Sequence, residues 1–116
     1  MFHIKRVYVR ATAEDGYRVL VDRVWPRGVS RQKAQIDMWM KEIAPSDQLR
    51  KWFGHDRKRW IEFRKRYRAE LKEKAELVRE LRKLENERGT VTLVYSARDE
   101  QNNQAVALRE ILRGSI

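Results

Sequence analysis

Acidic, basic and aromatic residues follow one short apolar segment of this chain within a few positions. The segment is residues 19–21, and the residues of interest after it are Asp22, Arg23, Trp25, Arg27 and Gly28. Arginine is a planar donor suited to carboxylate or phosphate groups, and a nearby carboxylate can orient a ligand or exchange a proton. Because open α/β sheets bind ligands outside the carboxyl ends of their strands, the pattern predicts a ligand site here. The structural alternative is an ion pair between Asp22 and an arginine, with Trp25 simply packed.

A second polar cluster follows residues 90–95, which are rich in β-branched and aromatic side chains. It contains Ser96 and Arg98 and leads to Asn103 before a predicted helix. A strand-to-helix junction presents backbone N–H groups and polar side chains to an anion, so Arg98 and Asn103 are predicted ligand contacts. Ser96 is a candidate catalytic or orienting group. N-capping of the helix by Asp99 or an asparagine is the alternative for those residues.

The two clusters meet only if their strands are neighbours. If residues 17–22 and 90–95 form adjacent parallel strands, both clusters lie at the same edge of the sheet. One crevice would then bring together Arg23, Arg27, Ser96 and Arg98.

His55 is the third candidate for chemistry. It is one of two histidines, and the only general acid–base candidate with an ordinary pKa near neutrality outside the N-terminal strand. The alternative is that it lies between two helices and bonds a backbone group or Asp56. The candidate catalytic residues are therefore Asp22, His55 and Ser96. No metal site is predicted, because no His, Asp or Glu cluster has ligand spacing, and no motif implies a cofactor.

Residues 57–68 are strongly basic, with aromatic side chains interleaved. This pattern invites a nucleic-acid interpretation. At helical spacing, however, Trp60, Phe63 and Tyr67 share one face, so we expect them to pack inward while the basic residues form a solvated outer face.

Composition limits the class of protein. With 116 residues, 41% of them hydrophobic, the chain is sized for one domain spanning 1–116. No apolar run approaches the ~20 residues of a membrane span, and no signal-peptide region or cysteine is present, so a cytoplasmic protein is expected. The net charge of +10 predicts either an anionic partner or only a soluble basic surface.

Hydrophobic spacing predicts strands at 2–9, 17–22 and 90–95. The link between the first two is too short for a crossover helix, so they form either a hairpin or a tightly linked parallel pair. Residues 36–40 fit a strand or a helical turn equally well.

Helix starts are predicted by capping residues. Ser30 caps a short turn, and Ser46 begins a short helix that Gly54 ends. A long helical run follows Asp56, with a break expected near residues 72–74, and a closing helix begins at Asn103. Strands and helices in this order predict an α/β fold: a single compact domain with a small, mostly parallel or mixed sheet covered by helices.

Two motifs carry a resemblance to a known family. They are Asp22-Arg23-x-Trp25-Pro26-Arg27-Gly28 and Trp52-Phe53-x-His55. With them the chain closely resembles the YeaO-like proteins of bacteria and archaea, which belong to the domain of unknown function numbered 488. The resemblance implies a compact α/β domain of unassigned biochemical role, in which the first motif acts as one unit.

The predicted function is binding of a small phosphate- or carboxylate-bearing ligand in the crevice at the strand ends. Whether the protein is an enzyme stays open at this stage. One alternative is a nucleic-acid-associated module using the basic face of residues 57–68, and another is a non-catalytic scaffold for protein partners.

Overall fold

The structure, a computed structural model, describes residues 1–114. A parallel sheet of four strands lies at the centre of this part of the chain. The strands are β1 (Phe2–Arg6), β2 (Tyr17–Leu20), β3 (Met38–Trp39) and β4 (Val91–Tyr95). Their order across the sheet is β1-β4-β2-β3, and every neighbouring pair is parallel. The α/β class predicted from the sequence is confirmed, and the sheet is parallel throughout.

The first two strands are parallel but are not neighbours, because β4 lies between them. The link that joins them contains one short 3-10 turn, Ala13–Asp15, and ends at Gly16. Gly16 has a φ of +63° and lies against the backbone of Thr90, just before β4. A tight link is therefore enough for this connection, and the hairpin alternative is wrong.

Within residues 1–114 five helices follow the predicted starts and stops, except that Asp56 caps a 3-10 turn, Arg57–Arg59, ahead of the third helix. They are α1 (Arg31–Ala34), α2 (Asp47–Phe53), α3 (Trp60–Lys72), α4 (Ala75–Arg88) and α5 (Gln104–Arg113). Ser30, Ser46 and Asn103 accept hydrogen bonds as N-caps of α1, α2 and α5, and the expected break separates α3 from α4. No helix within residues 1–114 is both long and apolar enough to cross a membrane.

The main core lies between one face of the sheet and the longer helices. The residues of β4 that face it are Val91, Leu93 and Tyr95, all buried. Phe53, Phe63 and Tyr67 stack in a row, with successive ring centroids 4.3 and 5.8 Å apart. The prediction that the aromatic residues of α3 pack inward is confirmed.

The opposite face of the sheet has a thinner cover. Leu20 and Val94 are buried there beneath α1 and the loop that carries Trp25. A buried ion pair also lies there, between Arg18 and Asp15, with 2.7 Å between Nη1 and Oδ2. The main core is thus on the helix side, and the candidate site lies at the edge where β2 and β4 end.

Candidate functional site

A pocket of about 170 Å³ opens at the carboxyl ends of β2 and β4. In the sheet, Leu20 pairs with Val94, so two residues further on Asp22 comes beside Ser96. Segments at the end of α2 and the start of α5 complete the pocket. Its polar lining residues are Asp22, Arg23, Arg50, His55, Ser96 and Gln104.

Asp22 is the buried polar group of this pocket, with only 7% of its surface exposed. The Gln104 side-chain amide donates a hydrogen bond of 2.6 Å to its Oδ1. Burial raises the pKa of the Asp22 carboxyl, while hydrogen bonds from Ser96 and Gln104 and the charge of His55 act in the opposite direction. The net result is a carboxyl group that holds its proton more strongly than an exposed aspartate.

Arg23 holds one wall of the pocket in place. Its Nε donates to the carbonyl of Pro45 at 3.0 Å, and its Nη2 donates to the carbonyl of Ala44 at 3.1 Å. The remaining Nη1 lies 4.0 Å from Glu42, whose side chain is exposed. Most of the guanidinium therefore positions the wall, and only part of it can still contact a ligand.

The same wall is fastened from the other side by α3. Tyr67 donates to the carbonyl of Ile43 at 2.7 Å, and Glu70 accepts hydrogen bonds from both the backbone and the hydroxyl of Ser46. One turn further on, Lys74 donates to the Ala44 carbonyl at 3.1 Å. Tyr67 and Glu70 are three positions apart and share one face of α3, whereas Lys74 lies just beyond the end of that helix. Together they hold residues 43–46 in place.

His55 lies at the mouth of the pocket on an unusual backbone. Gly54 ends α2 with a φ of +52°, and His55 follows in the same left-handed region with a φ of +57°. A hydrogen bond from the Asp56 amide to the Phe53 carbonyl, 2.9 Å long, closes this turn. A residue other than glycine is uncommon there, and the His55 imidazole lies at a tilt to the Phe53 ring, with 6.0 Å between the ring centroids.

The rest of the first motif lies outside the pocket lining. The Trp25 indole donates to the Val29 carbonyl at 2.7 Å and packs edge-on against Trp39. Arg27 and Gly28 are exposed, and the Arg27 carbonyl accepts from Tyr8. The structure therefore brings Asp22 and Arg23 to the pocket but not Trp25, Arg27 or Gly28, whose role in binding a ligand stays a prediction.

Arg98 and Asn103, from the second polar cluster, also lie outside the pocket lining. Arg98 is exposed and does not line the pocket, whereas Asn103 is buried and caps α5 by accepting from the Val106 amide at 3.0 Å. Of the four side chains predicted to converge, only Arg23 and Ser96 line the pocket. The ligand contacts assigned to Arg98 and Asn103 remain predictions.

Arg50 and Gln104 line the pocket although the sequence did not single them out. Gln104 is the first residue of α5 and follows Asn103, the cap of that helix. The position of this cap could therefore have indicated that Gln104 lies at the strand ends. Arg50 precedes Gly54 by one helical turn, and the Gly54 amide donates to its carbonyl. Its side chain reaches the pocket only through the packing of α2, which no local pattern reveals.

The whole chain matches one protein-family model, described as "Inactive DUF488-N3 subclade", over residues 1–116. The chain belongs to this family. Uncharacterised proteins of Mycobacterium tuberculosis and Mycobacterium bovis are 41% identical over 111 residues, which cover 96% of this chain and 92% of theirs. The uncharacterised protein YeaO of Escherichia coli is 41% identical over 109 residues, 94% of each chain. No solved structure matches.

These findings confirm the YeaO-like resemblance seen in the two motifs. Within residues 1–114 no group of three or more His, Asp or Glu side chains is arranged to hold a metal ion. The polar lining of the pocket consists of one buried carboxyl, basic side chains of which Arg50 and His55 are exposed, and neutral hydrogen-bonding groups.

Proposed function

We propose that this protein binds a small carboxylate- or phosphate-bearing ligand in the pocket at the ends of β2 and β4, without converting it chemically. The observation that carries this function is the convergence of Arg23, Arg50 and His55 on one pocket at the strand ends. Arg50 also donates to the exposed Asp47 at 3.1 Å, so this pair faces solvent and leaves further donors of the guanidinium for a ligand. Basic donors of this kind bind anionic groups by charge-assisted hydrogen bonds.

The size of the pocket limits the ligand. The pocket has a volume of about 170 Å³. Pockets for drug-sized molecules and cofactors span roughly 300–1,000 Å³. A compact acid fits these dimensions better than a nucleotide does.

One observation supports binding without catalysis. The chain belongs to a subclade described as inactive. We therefore assign Asp22, His55 and Ser96 to positioning the ligand.

The nucleic-acid alternative receives less support from the basic face of residues 57–68. Four arginines there contact carboxylates, in the pairs Arg57–Asp99, Arg59–Asp56, Arg64–Glu110 and Arg66–Glu62. These acids neutralise part of the positive potential that a phosphate backbone would need. No specific observation favours the scaffold alternative, and the cytoplasmic location stays a prediction.

Titration with sulfate, phosphate, acetate and propionate, followed by amide NMR shifts of the full chain, tests the proposed function. We expect saturable shifts at Ser96 and Gln104, with affinity reduced about tenfold or more in Arg50→Gln, since a charged hydrogen bond contributes about 1.5–3 kcal/mol. Arg79→Gln, which removes an exposed charge on α4 outside the pocket, is the matched control and should leave affinity unchanged. Shifts that map elsewhere, or equal losses in both variants, would overturn the proposed site.

A further inference from the structure

The chain contains two buried aspartates, and their surroundings differ in charge. Asp15 is 4% exposed and is paired with two cations: Lys5 lies 2.7 Å from Oδ1, and Arg18 lies 2.7 Å from Oδ2. Asp22 is buried to a similar extent but makes no ion pair within residues 1–114. Its hydrogen-bond donors, Gln104 and Ser96, are neutral.

A buried carboxylate is costly unless a positive charge or several donors compensate it. The Asp15 site shows that this fold can supply cations to such a group. The basic side chains that line the same pocket as Asp22 are Arg23, Arg50 and the exposed His55. Arg23 is bonded to the carbonyls of Ala44 and Pro45, and Arg50 is paired with Asp47. A cation bound in the pocket in front of Asp22 would supply the ion pair that its neutral donors, Gln104 and Ser96, do not.

The chemical character of the lining side chains changes from the buried end of the pocket to its mouth. Asp22 is at the buried end, with Ser96 and Gln104 beside it, and Arg50 and His55 are exposed. Buried apolar side chains, those of Phe53 and Phe63 among them, form part of the lining as well. An ammonium group, a short hydrocarbon and an anionic group would meet these surfaces in that order.

We propose that the ligand of this pocket is a small zwitterion whose ammonium group pairs with Asp22 while its carboxylate or phosphate contacts the basic side chains nearer the mouth. This assignment rests on the proposed function and narrows its ligand class to short amino acids and amino phosphates. Asp22 then acts as the specificity-determining residue for the amine.

Matched ligands that differ only in the amine test this assignment. The pairs are β-alanine with propionate, and 2-aminoethyl phosphate with ethyl phosphate, measured by calorimetry and amide NMR on the full chain near neutral pH. We expect the amine-bearing member of each pair to bind at least tenfold more tightly in the native protein. In Asp22→Asn that preference should disappear while the amine-free acids still bind.

Glu100→Gln provides the matched control, because it also removes one acidic charge near the end of β4 but lies outside the pocket lining. It should keep the preference for the amine. Asparagine at position 22 can still accept the hydrogen bond from Gln104, and the NMR spectrum reports whether the variant is folded. Equal affinity of both members of each pair, with shifts at Ser96 and Gln104, would overturn the zwitterion assignment and leave the proposed function standing. Absence of binding by all four ligands would overturn both.

Discussion

At the scale of single residues, the two buried aspartates show how neighbours decide the state of the same side chain. Burial alone would raise the pKa of Asp15, but hydrogen bonds from Lys5, Thr12 and Arg18 outweigh it and hold the pKa below 3.8. At Asp22 burial outweighs the neutral donors, and the pKa is raised. Asp15 is therefore a structural ion-pair partner. Asp22 combines a raised pKa with a position in the pocket lining, and such perturbed groups are more frequent at functional sites than elsewhere.

The raised pKa of Asp22 has a consequence for stability. A carboxyl whose pKa is higher in the folded state than in the unfolded state binds protons preferentially when folded, so ionisation above the ordinary pKa of 3.8 disfavours folding. We predict that Asp22→Asn raises the melting temperature near neutral pH. The difference from the native protein should shrink as the pH falls towards and below 3.8, where Asp22 is neutral in both states.

Thermal unfolding followed by circular dichroism across this pH range measures the effect. Glu100→Gln serves as the control and should show no comparable gain, because Glu100 is exposed. A lower melting temperature for Asp22→Asn at neutral pH would contradict the prediction. It would mean that the ionised carboxylate is stabilised by the fold.

At the scale of elements, α3 contributes both to the main core and to the wall of the pocket. Phe63 and Tyr67 are buried in the main core, while Glu70 and Lys74, the latter just beyond the helix end, hold the wall of the pocket. The Tyr67 hydroxyl joins the two functions, since its ring is buried and its oxygen donates to the Ile43 carbonyl. The shape of the site thus depends on a helix whose residues, Phe63 apart, do not line the pocket.

The start of β2 depends on a close approach between two backbones. A Cβ at Gly16 would overlap the carbonyl of Thr90, and the φ of +63° is one that other residues rarely adopt. We predict that Gly16→Ala lowers the free energy of unfolding by about 2–4 kcal/mol, from overpacking together with backbone strain. Urea unfolding gives this value directly.

Gly28 supplies a matched control for this change. Its φ of +72° is similar, but a Cβ there meets nothing within 4 Å. Gly28→Ala should therefore cost only the backbone term of about 1–2 kcal/mol. Equal losses in the two variants would show that the approach of Gly16 to Thr90 contributes nothing to the difference.

At the scale of the whole molecule, the net charge of +10 is spread over a surface in which many basic side chains have acidic neighbours. We expect such a surface to attract polyanions weakly and without a preferred face. We predict that single-stranded RNA binds only at low salt and that binding is lost by about 200 mM salt. Fluorescence anisotropy over a salt series measures this dependence.

Charge reversal on two helices tests whether any binding is localised. Lys65→Glu on α3 and Arg79→Glu on α4 each reverse the charge of an exposed basic residue. We expect a similar, small loss of RNA binding at low salt from each variant. Binding that persists at about 200 mM salt and is lost only in Lys65→Glu would instead establish the nucleic-acid alternative.

Much of the element structure was predictable because it depends on residues close together in the chain. Ser30 and Ser46 were correctly predicted as N-caps, and the structure bears out the capping alternative for Asn103, since each of the three accepts from an amide only three positions away. The sheet order was not predictable in this way. The residues that β4 pairs with on either side belong to strands more than 70 positions earlier, and only the assembled core selects that arrangement.

The sequence by itself determined the fold class, the family and the neighbourhood of the site, because strand periodicity, capping residues and the Asp22–Gly28 motif are local signals. Only the tertiary structure decided which side chains meet. Asp22 and Arg23 reach the pocket while Arg27 and Arg98 do not, and Arg50 and Gln104 arrive from other helices. The physical reason is that side-chain direction at a strand end and the docking of distant helices follow from packing of the whole core, which spacing along the chain does not encode.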